Sequence, residues 1–129
     1  MTSRKVIKTE KAPKAIGPYS QAVQVGSRLY ISGQLGINAA SGKMAGESAA
    51  EQARQSIENI KAILDAAGFS LKDVVQVQVL LGDIGDFGSV NEVYKEYFAE
   101  PYPARAAYQA GALPLGAKVE IIAVAERAD

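Results

Sequence analysis

The sequence predicts an α+β domain, a mixed sheet with two helices packed on one face. Three observations carry that reading. Strand-like segments flank two helix-like segments in the order strands, helix, strand, helix, strands. Each helical segment has one apolar stripe at helical spacing: Ala53, Ile57, Ile60, Leu64 and Ala67 in the first, and Val90, Val93, Tyr94, Tyr97 and Phe98 in the second. Several strands are apolar on both sides. With both helices on one sheet face the other face is bare, and a large bare apolar face is unusual on a monomer. The sequence therefore predicts a homo-oligomer that buries it.

The elements follow in chain order. Val6-Ile7 opens a short edge strand. After a polar stretch from Lys8 to Lys14, Gly17-Pro18 signals a turn that sets Tyr19 and Ser20 at the mouth of a strand. Ala22–Val25 and Arg28–Ser32 read as a hairpin around Gly26-Ser27. Gly33, at the end of its second strand, reads as a bulge or as a place of close approach. Ser48 and Glu51 form a capping box at the start of the first helix, and Gly68 is its C-cap. Arg54, Glu58, Lys61 and Asp65 give that helix a charged face, read as solvated. Val74–Leu81, rich in β-branched residues with Gln76 and Gln78 on one side, is the clearest strand. A second helix is expected from Ser89 to Phe98, capped by Ser89 and Glu92 and stopped by Pro101 and Pro103. Two final strands carry Arg105 and Glu120, and a polar tail from Glu126 to Asp129 is expected to fray.

Composition narrows the chemistry. The 129 residues suit one domain, 1–129, with a substantial core. The formal net charge is zero, so nothing draws the chain to nucleic acid or anionic membranes, and little opposes self-association. No apolar run is long enough to span a bilayer, and the run after Met1-Thr2-Ser3-Arg4-Lys5 is too short for a secretory signal, so a cytoplasmic location is the default expectation. There is no Cys, His or Trp. Disulfides, Cys/His zinc sites, cysteine nucleophiles and Ser-His-Asp triads are thereby excluded. No glycine pattern of the phosphate-binding kind is present. Acid–base work falls to Asp, Glu, Lys, Tyr or water.

The stretch Pro103-Ala104-Arg105-Ala106-Ala107-Tyr108-Gln109 and the strand from Lys118 to Ala125 place two charges in apolar settings. Glu120 alternates onto one face with Ile122 and Val124, while Val119, Ile121 and Ala123 take the other. Two readings of Glu120 stand: an ion-pair partner for Arg105 or Lys118, or a carboxylate placed to handle a proton or a water. Ion pairing is the commoner use of such a position. Arg105 is suited to gripping a carboxylate through two parallel hydrogen bonds. Arg105, Ala107 and Gln109 share a strand face, and Glu120 approaches that space if the final two strands are neighbours. A carboxylate clamp beside a carboxylate that holds water suits hydrolysis of a small organic acid. The attacked group is then already electrophilic, as in a protonated imine.

The chain resembles the RidA/YjgF family, especially its animal-type members, over nearly its whole length. The resembling segments are Ala15–Ala22, Tyr30-Ile31-Ser32-Gly33-Gln34, Asp86-Phe87 with Val90-Asn91-Glu92-Val93-Tyr94, and Pro103–Gln109 through Val119-Glu120-Ile121. The resemblance implies a chorismate-mutase-like fold assembled as a homotrimer, with a central barrel of sheets and clefts between subunits. It implies hydrolysis of reactive 2-imino acids, of the 2-iminobutanoate and 2-iminopropanoate type, to 2-keto acids plus ammonia, without metal or cofactor. Position by position, Arg105 matches the arginine that grips the substrate carboxylate and Glu120 the glutamate that positions or activates water. Tyr19, Ser32, Gly33 and Asn91 match residues that line the pocket, and Phe87 matches an apolar wall. Many bacterial members carry a cysteine where this chain has Ala107; if the role there is a backbone contact little is lost, and if it is a thiol role this chain cannot fill it. Two rival readings remain: RNA cleavage with translation inhibition, which zero net charge and the lack of histidine disfavour, and a non-enzymatic trimer that binds small acids or client proteins.

Overall fold

The structure, a computed structural model, describes residues 3–127. Met1, Thr2, Ala128 and Asp129, the ends of the leading run and of the expected polar tail, lie outside the described residues. Six strands form one mixed sheet: β1 (Arg4–Ile7), β2 (Ala22–Val25), β3 (Arg28–Leu35), β4 (Val74–Leu81), β5 (Ala104–Gln109) and β6 (Val119–Glu126). Their spatial order is β1-β2-β3-β6-β4-β5. Only β4 and β5 run parallel; every other neighbouring pair is antiparallel. Helices α1 (Ala49–Ala67) and α2 (Phe87–Tyr97) share the core on one face of this sheet, so the predicted α+β architecture stands. Each helix is a crossover between strands that point the same way, which parallel strands require. The last strand, β6, inserts antiparallel between β3 and β4.

One row of side-by-side residues crosses the whole sheet: Ile7, Ala22, Ile31, Ala123, Val77 and Arg105. The first five are buried beneath the helices. The sixth is a charge at the sheet edge. The reverse face carries the row Val6, Val23, Tyr30, Val124, Gln76 and Ala104, and a shorter row of Leu35, Glu120, Leu80 and Tyr108. Along β6 burial alternates residue by residue, Val119, Ile121, Ala123 and Ala125 buried and Glu120, Ile122 and Val124 half-buried. That alternation is the pleat of a sheet covered on one side.

Helix α1 forms as its sequence predicts. The Ser48 hydroxyl accepts from the Glu51 N–H at 3.1 Å, and the Glu51 carboxylate accepts from the Ser48 N–H at 3.2 Å. Gly68 ends the helix at φ 79°, a left-handed conformation open to glycine at little cost. Beside the apolar stripe lie buried polar residues that pin neighbouring backbone. Ser56 donates to the Gln34 carbonyl at 2.7 Å, and Asn59 donates to the carbonyls of Leu35 and Ile37 at 3.2 and 2.9 Å. Gln52 donates to the Gly46 carbonyl at 3.0 Å and accepts from the Lys118 N–H at 2.8 Å. Each bond satisfies a carbonyl or N–H that would otherwise be costly to bury.

Four local expectations are corrected. Helix α2 begins at Phe87, and Ser89 lies inside its first turn, donating to the Asp86 carbonyl at 3.1 Å. A 3₁₀ turn at Ile84–Asp86 feeds the helix, so the chain is already helical where the Ser89 cap was expected. The charged face of α1 is exposed but not merely solvated: Arg54 pairs with Glu96 of α2, and the Tyr97 hydroxyl donates to Glu58 at 2.7 Å, lacing the helix–helix rim. The tail does not fray at Glu126 or Arg127. Glu126 ends β6 and pairs with Arg28 at 2.9 Å, while Arg127 stacks on Phe69 at 4.7 Å and donates to the Gly68 carbonyl at 2.7 Å. Finally, the strands bearing Arg105 and Glu120 are not neighbours, because β4 lies between them.

Candidate active site

Arg105 sits on the helix-side face, at the edge of β5, against α2. Phe87, Asn91 and Tyr94 stand at i, i+4 and i+7, so α2 presents all three on one face. The Asn91 Oδ1 accepts from an Arg105 Nη at 2.7 Å. The guanidinium carbon lies 4.7 Å from the Tyr94 ring centre and 5.5 Å from that of Phe87. Such cation–π contacts are worth about 0.5–1 kcal/mol each when exposed. They orient a side chain that is otherwise open to solvent. Asn91, Tyr94, Lys95, Tyr102, Pro103 and Arg105 line a cleft of about 410 Å³. Ala107 follows two residues on, beside Val79 and packed against the core. Gln109, next on the same face, accepts from the Ile84 N–H at 2.9 Å and so fixes the turn that leads to Phe87.

Glu120 belongs to the other face. The pairing of β3 with β6 shifts between Ile31 and Gln34, so Ser32 and Gly33 together oppose one residue, Ile122. This is a bulge, one of the two roles predicted for Gly33. It is also a close approach: a Cβ at Gly33 would overlap the Glu120 carboxylate. The Ser32 hydroxyl donates to the Ser20 carbonyl at 2.5 Å, and the Ser32 N–H to the Gln21 carbonyl at 2.9 Å. Gln21 is buried and its side chain both accepts from the Thr9 N–H at 2.7 Å and donates to the Pro13 carbonyl at 2.8 Å. This web holds the segment that carries Tyr19, a residue 50% exposed.

Within one chain the ion-pair reading of Glu120 finds no support. Among the described residues it has no salt-bridge partner: Arg105 is on the opposite face, and the ion pairs present are Arg28 with Glu126, Arg54 with Glu96 and Lys95 with Glu92. Burial pushes the Glu120 carboxyl above the ordinary glutamate range. Within one chain, a half-buried carboxyl with raised proton affinity and no salt-bridge partner is suited to taking up a proton. Among the described residues no group of three or more His, Cys, Asp or Glu side chains is placed to share a metal ion, and no helix is long and apolar enough to cross a membrane.

The structure thus sorts the sequence-predicted residues into two groups. Phe87, Asn91, Arg105 and Ala107 gather on the helix side. Ser32, Gly33 and Glu120 gather on the reverse side, with the Tyr19 segment tethered to Ser32. Sequence reasoning assigned Tyr94 to the core alone and passed over Lys95 and Tyr102. The signal for Tyr94 was present, three residues after Asn91 on the same helix face.

Comparison with known proteins identifies the family. A family model described as endoribonuclease L-PSP matches residues 9–127. A Bos taurus protein named 2-iminobutanoate/2-iminopropanoate deaminase is 57% identical over 122 residues, covering 95% of this chain and 89% of the relative. The crystal structure of RidA from a Psychrobacter species aligns at TM-score 0.92 with 51% identity, over 95% of this chain and 99% of that one. The structure of E. coli TdcF with bound serine aligns at TM-score 0.91 with 43% identity, over 96% and 99%. With the fold, the Arg105–Asn91 pair and the Gly33–Glu120 contact in place, these matches show that the chain belongs to the RidA/YjgF family.

Proposed function

We infer that this chain hydrolyses reactive 2-imino acids, of the 2-iminobutanoate and 2-iminopropanoate type, to 2-keto acids and ammonia. The Bos taurus relative bears that activity in its name and is similar over nearly the whole length. The observation that carries the site is the partition of its residues. Arg105, Asn91 and Phe87 supply a fixed cation with an apolar wall, and Tyr19, Ser32, Gly33 and Glu120 supply a proton acceptor, on opposite faces of one sheet. One substrate meets both groups only if two copies of the chain each contribute one face. The reverse face supports such assembly. It is a half-exposed apolar surface of Val6, Val23, Tyr30, Ile122, Val124 and Tyr108, of the kind buried in stable oligomers. A homotrimer with the sheets turned inward is the assembly proposed here, with its sites at the subunit boundaries.

In the proposed reaction, Arg105 grips the substrate carboxylate through paired N–H donors, leaving the iminium carbon before Glu120 of a neighbouring copy. Glu120 takes a proton from a water as its oxygen bonds to that carbon, giving a carbinolamine. The proton returns to nitrogen, the C–N bond breaks with its electron pair staying on nitrogen, and the hydroxyl proton passes to the departing ammonia as the carbonyl forms. The products are the 2-keto acid and ammonium. Raised proton affinity suits Glu120 to both transfers. The endoribonuclease description of the family model finds less support in this chain, which has zero net charge and no histidine.

The test follows decay of a freshly generated imine, made by an amino-acid oxidase and trapped with semicarbazide, for wild type and Arg105→Ala. Faster decay with wild type alone, and a mass in solution of three copies for both proteins, supports the reading. No acceleration by wild type across several side chains refutes it.

A further inference from the structure

Tyr94 contacts Arg105 but has no part in the reaction as written. It is only 5% exposed. Its ring stacks on Phe98 with centres 4.5 Å apart and planes 27° apart, so the core fixes its plane. The Arg105 guanidinium lies 4.7 Å from the ring centre. The Tyr94 hydroxyl is buried without a hydrogen-bond partner among the described residues. Burial pushes the phenol up in pKa, opposed by the positive charge of Arg105, so the group stays neutral. What Tyr94 offers Arg105 is therefore the electron-rich ring face and not a hydrogen bond.

We propose that Tyr94 is a positioning residue for the carboxylate clamp. Its ring fixes the plane of the Arg105 guanidinium, and Asn91 fixes the rotation within that plane through one Nη. The remaining N–H groups are left free for a carboxylate in a fixed orientation. Arg105 lies on an edge strand between two exposed residues, where a long side chain otherwise samples many rotamers. Ordering it before substrate arrives removes that cost from binding. The effect falls on ground state and transition state alike, so it is read in KM more than in kcat. The proposal rests on the clamp reading of Arg105.

The experiment replaces Tyr94 by phenylalanine and by phenylalanines of increasing fluorination, which keep the ring's shape while draining its face of electron density. KM and kcat for imine hydrolysis, Kd for 2-oxobutanoate by calorimetry, and the thermal midpoint are measured for each. Tyr94→Phe is expected within about twofold of wild type, and KM and Kd are expected to climb with fluorination to about fivefold, with kcat nearly constant and the midpoint flat. The same series in an Arg105→Ala background is expected to show no trend. A flat Kd across the series overturns the proposal, as does a Tyr94→Phe loss as large as that of the most fluorinated ring, which would assign the role to the hydroxyl. A wild type that binds 2-oxobutanoate without hydrolysing imines refutes the deaminase reading, while the Kd series still decides this one. A wild type that hydrolyses imines without measurable 2-oxobutanoate binding leaves the deaminase reading standing, and a KM that stays flat across the series then overturns this one.

Discussion

Arg105 and Glu120 occupy opposite faces of the same sheet, with β4 between their strands. Arg105 closes a row of buried residues that begins at Ile7, whereas Glu120 lies in the row of Leu35, Leu80 and Tyr108 on the reverse side. Side chains alternate strictly along a strand, so no rotamer change brings the two together within one chain. Their cooperation requires a second copy.

That requirement gives a complementation test. Arg105→Ala and Glu120→Ala are each expected to be inactive alone. Unfolded together and refolded as mixed assemblies, they are expected to regain about a quarter of the wild-type sites, the share that pairs an intact arginine with an intact glutamate across a head-to-tail boundary. No recovered imine hydrolysis in verified mixed assemblies would falsify the shared site.

Glu120→Gln is expected to lose about 10²–10⁴ in kcat while gaining thermal stability at neutral pH. The sign follows from burial, which raises the folded-state pKa of Glu120. Below the ordinary glutamate pKa both folded and unfolded states are protonated, and the group carries no penalty. As pH rises from there through the raised folded value, the unfolded state releases its proton first and wild-type stability falls. The midpoint advantage of the Gln variant is thus expected at pH 7 and should vanish near pH 3, well under the ordinary glutamate value of about 4.3. A constant advantage across that range would remove desolvation as its cause. For wild type, the acid limb of kcat/KM is expected above the ordinary glutamate range.

Gly33→Ala places a methyl group where the Glu120 carboxylate lies. The carboxylate is the far end of a flexible, half-buried side chain that can swing aside, so the cost is expected at the low end of overpacking, about 1 kcal/mol. Urea unfolding is expected to show that loss, and the loss should shrink when Glu120→Ala is present as well, giving a positive coupling in the double-mutant cycle. Additive losses would show that the methyl group meets something other than Glu120.

Asn91→Ala removes the acceptor for one Arg105 Nη. A hydrogen bond to a charged group is worth about 1.5–3 kcal/mol, but this one is exposed and the freed guanidinium regains water, so KM is expected to rise about three- to tenfold. kcat should change less. Steady-state kinetics with one imino acid settles it, and a pure kcat effect would place Asn91 at the reacting atoms instead.

Part of the candidate site was legible because its residues announce themselves chemically, whereas Tyr19, Ser32, Phe87 and Asn91 entered through the family resemblance. A charge in an apolar strand marked Glu120, and a glycine at a strand end marked Gly33. Tyr94 escaped because one apolar stripe explained it fully; its second role appears only when β5 brings Arg105 against that helix face. Ser56 and Asn59 escaped because a helix sequence does not say which carbonyls it will meet. The Ser89 cap was misplaced because a 3₁₀ turn continues into α2, which pattern alone does not distinguish from loop.

The sequence by itself determined the layers, the helix stripes, the Ser48 cap and the family, since local periodicity, capping chemistry and motif identity are properties of neighbouring residues. It also determined which residues share a face within each strand. Only the tertiary structure decided that β6 inserts between β3 and β4, and therefore that Arg105 and Glu120 face apart. Strand order and register are set by contacts between residues far apart in the chain, and shifting a register by one residue exchanges the two faces.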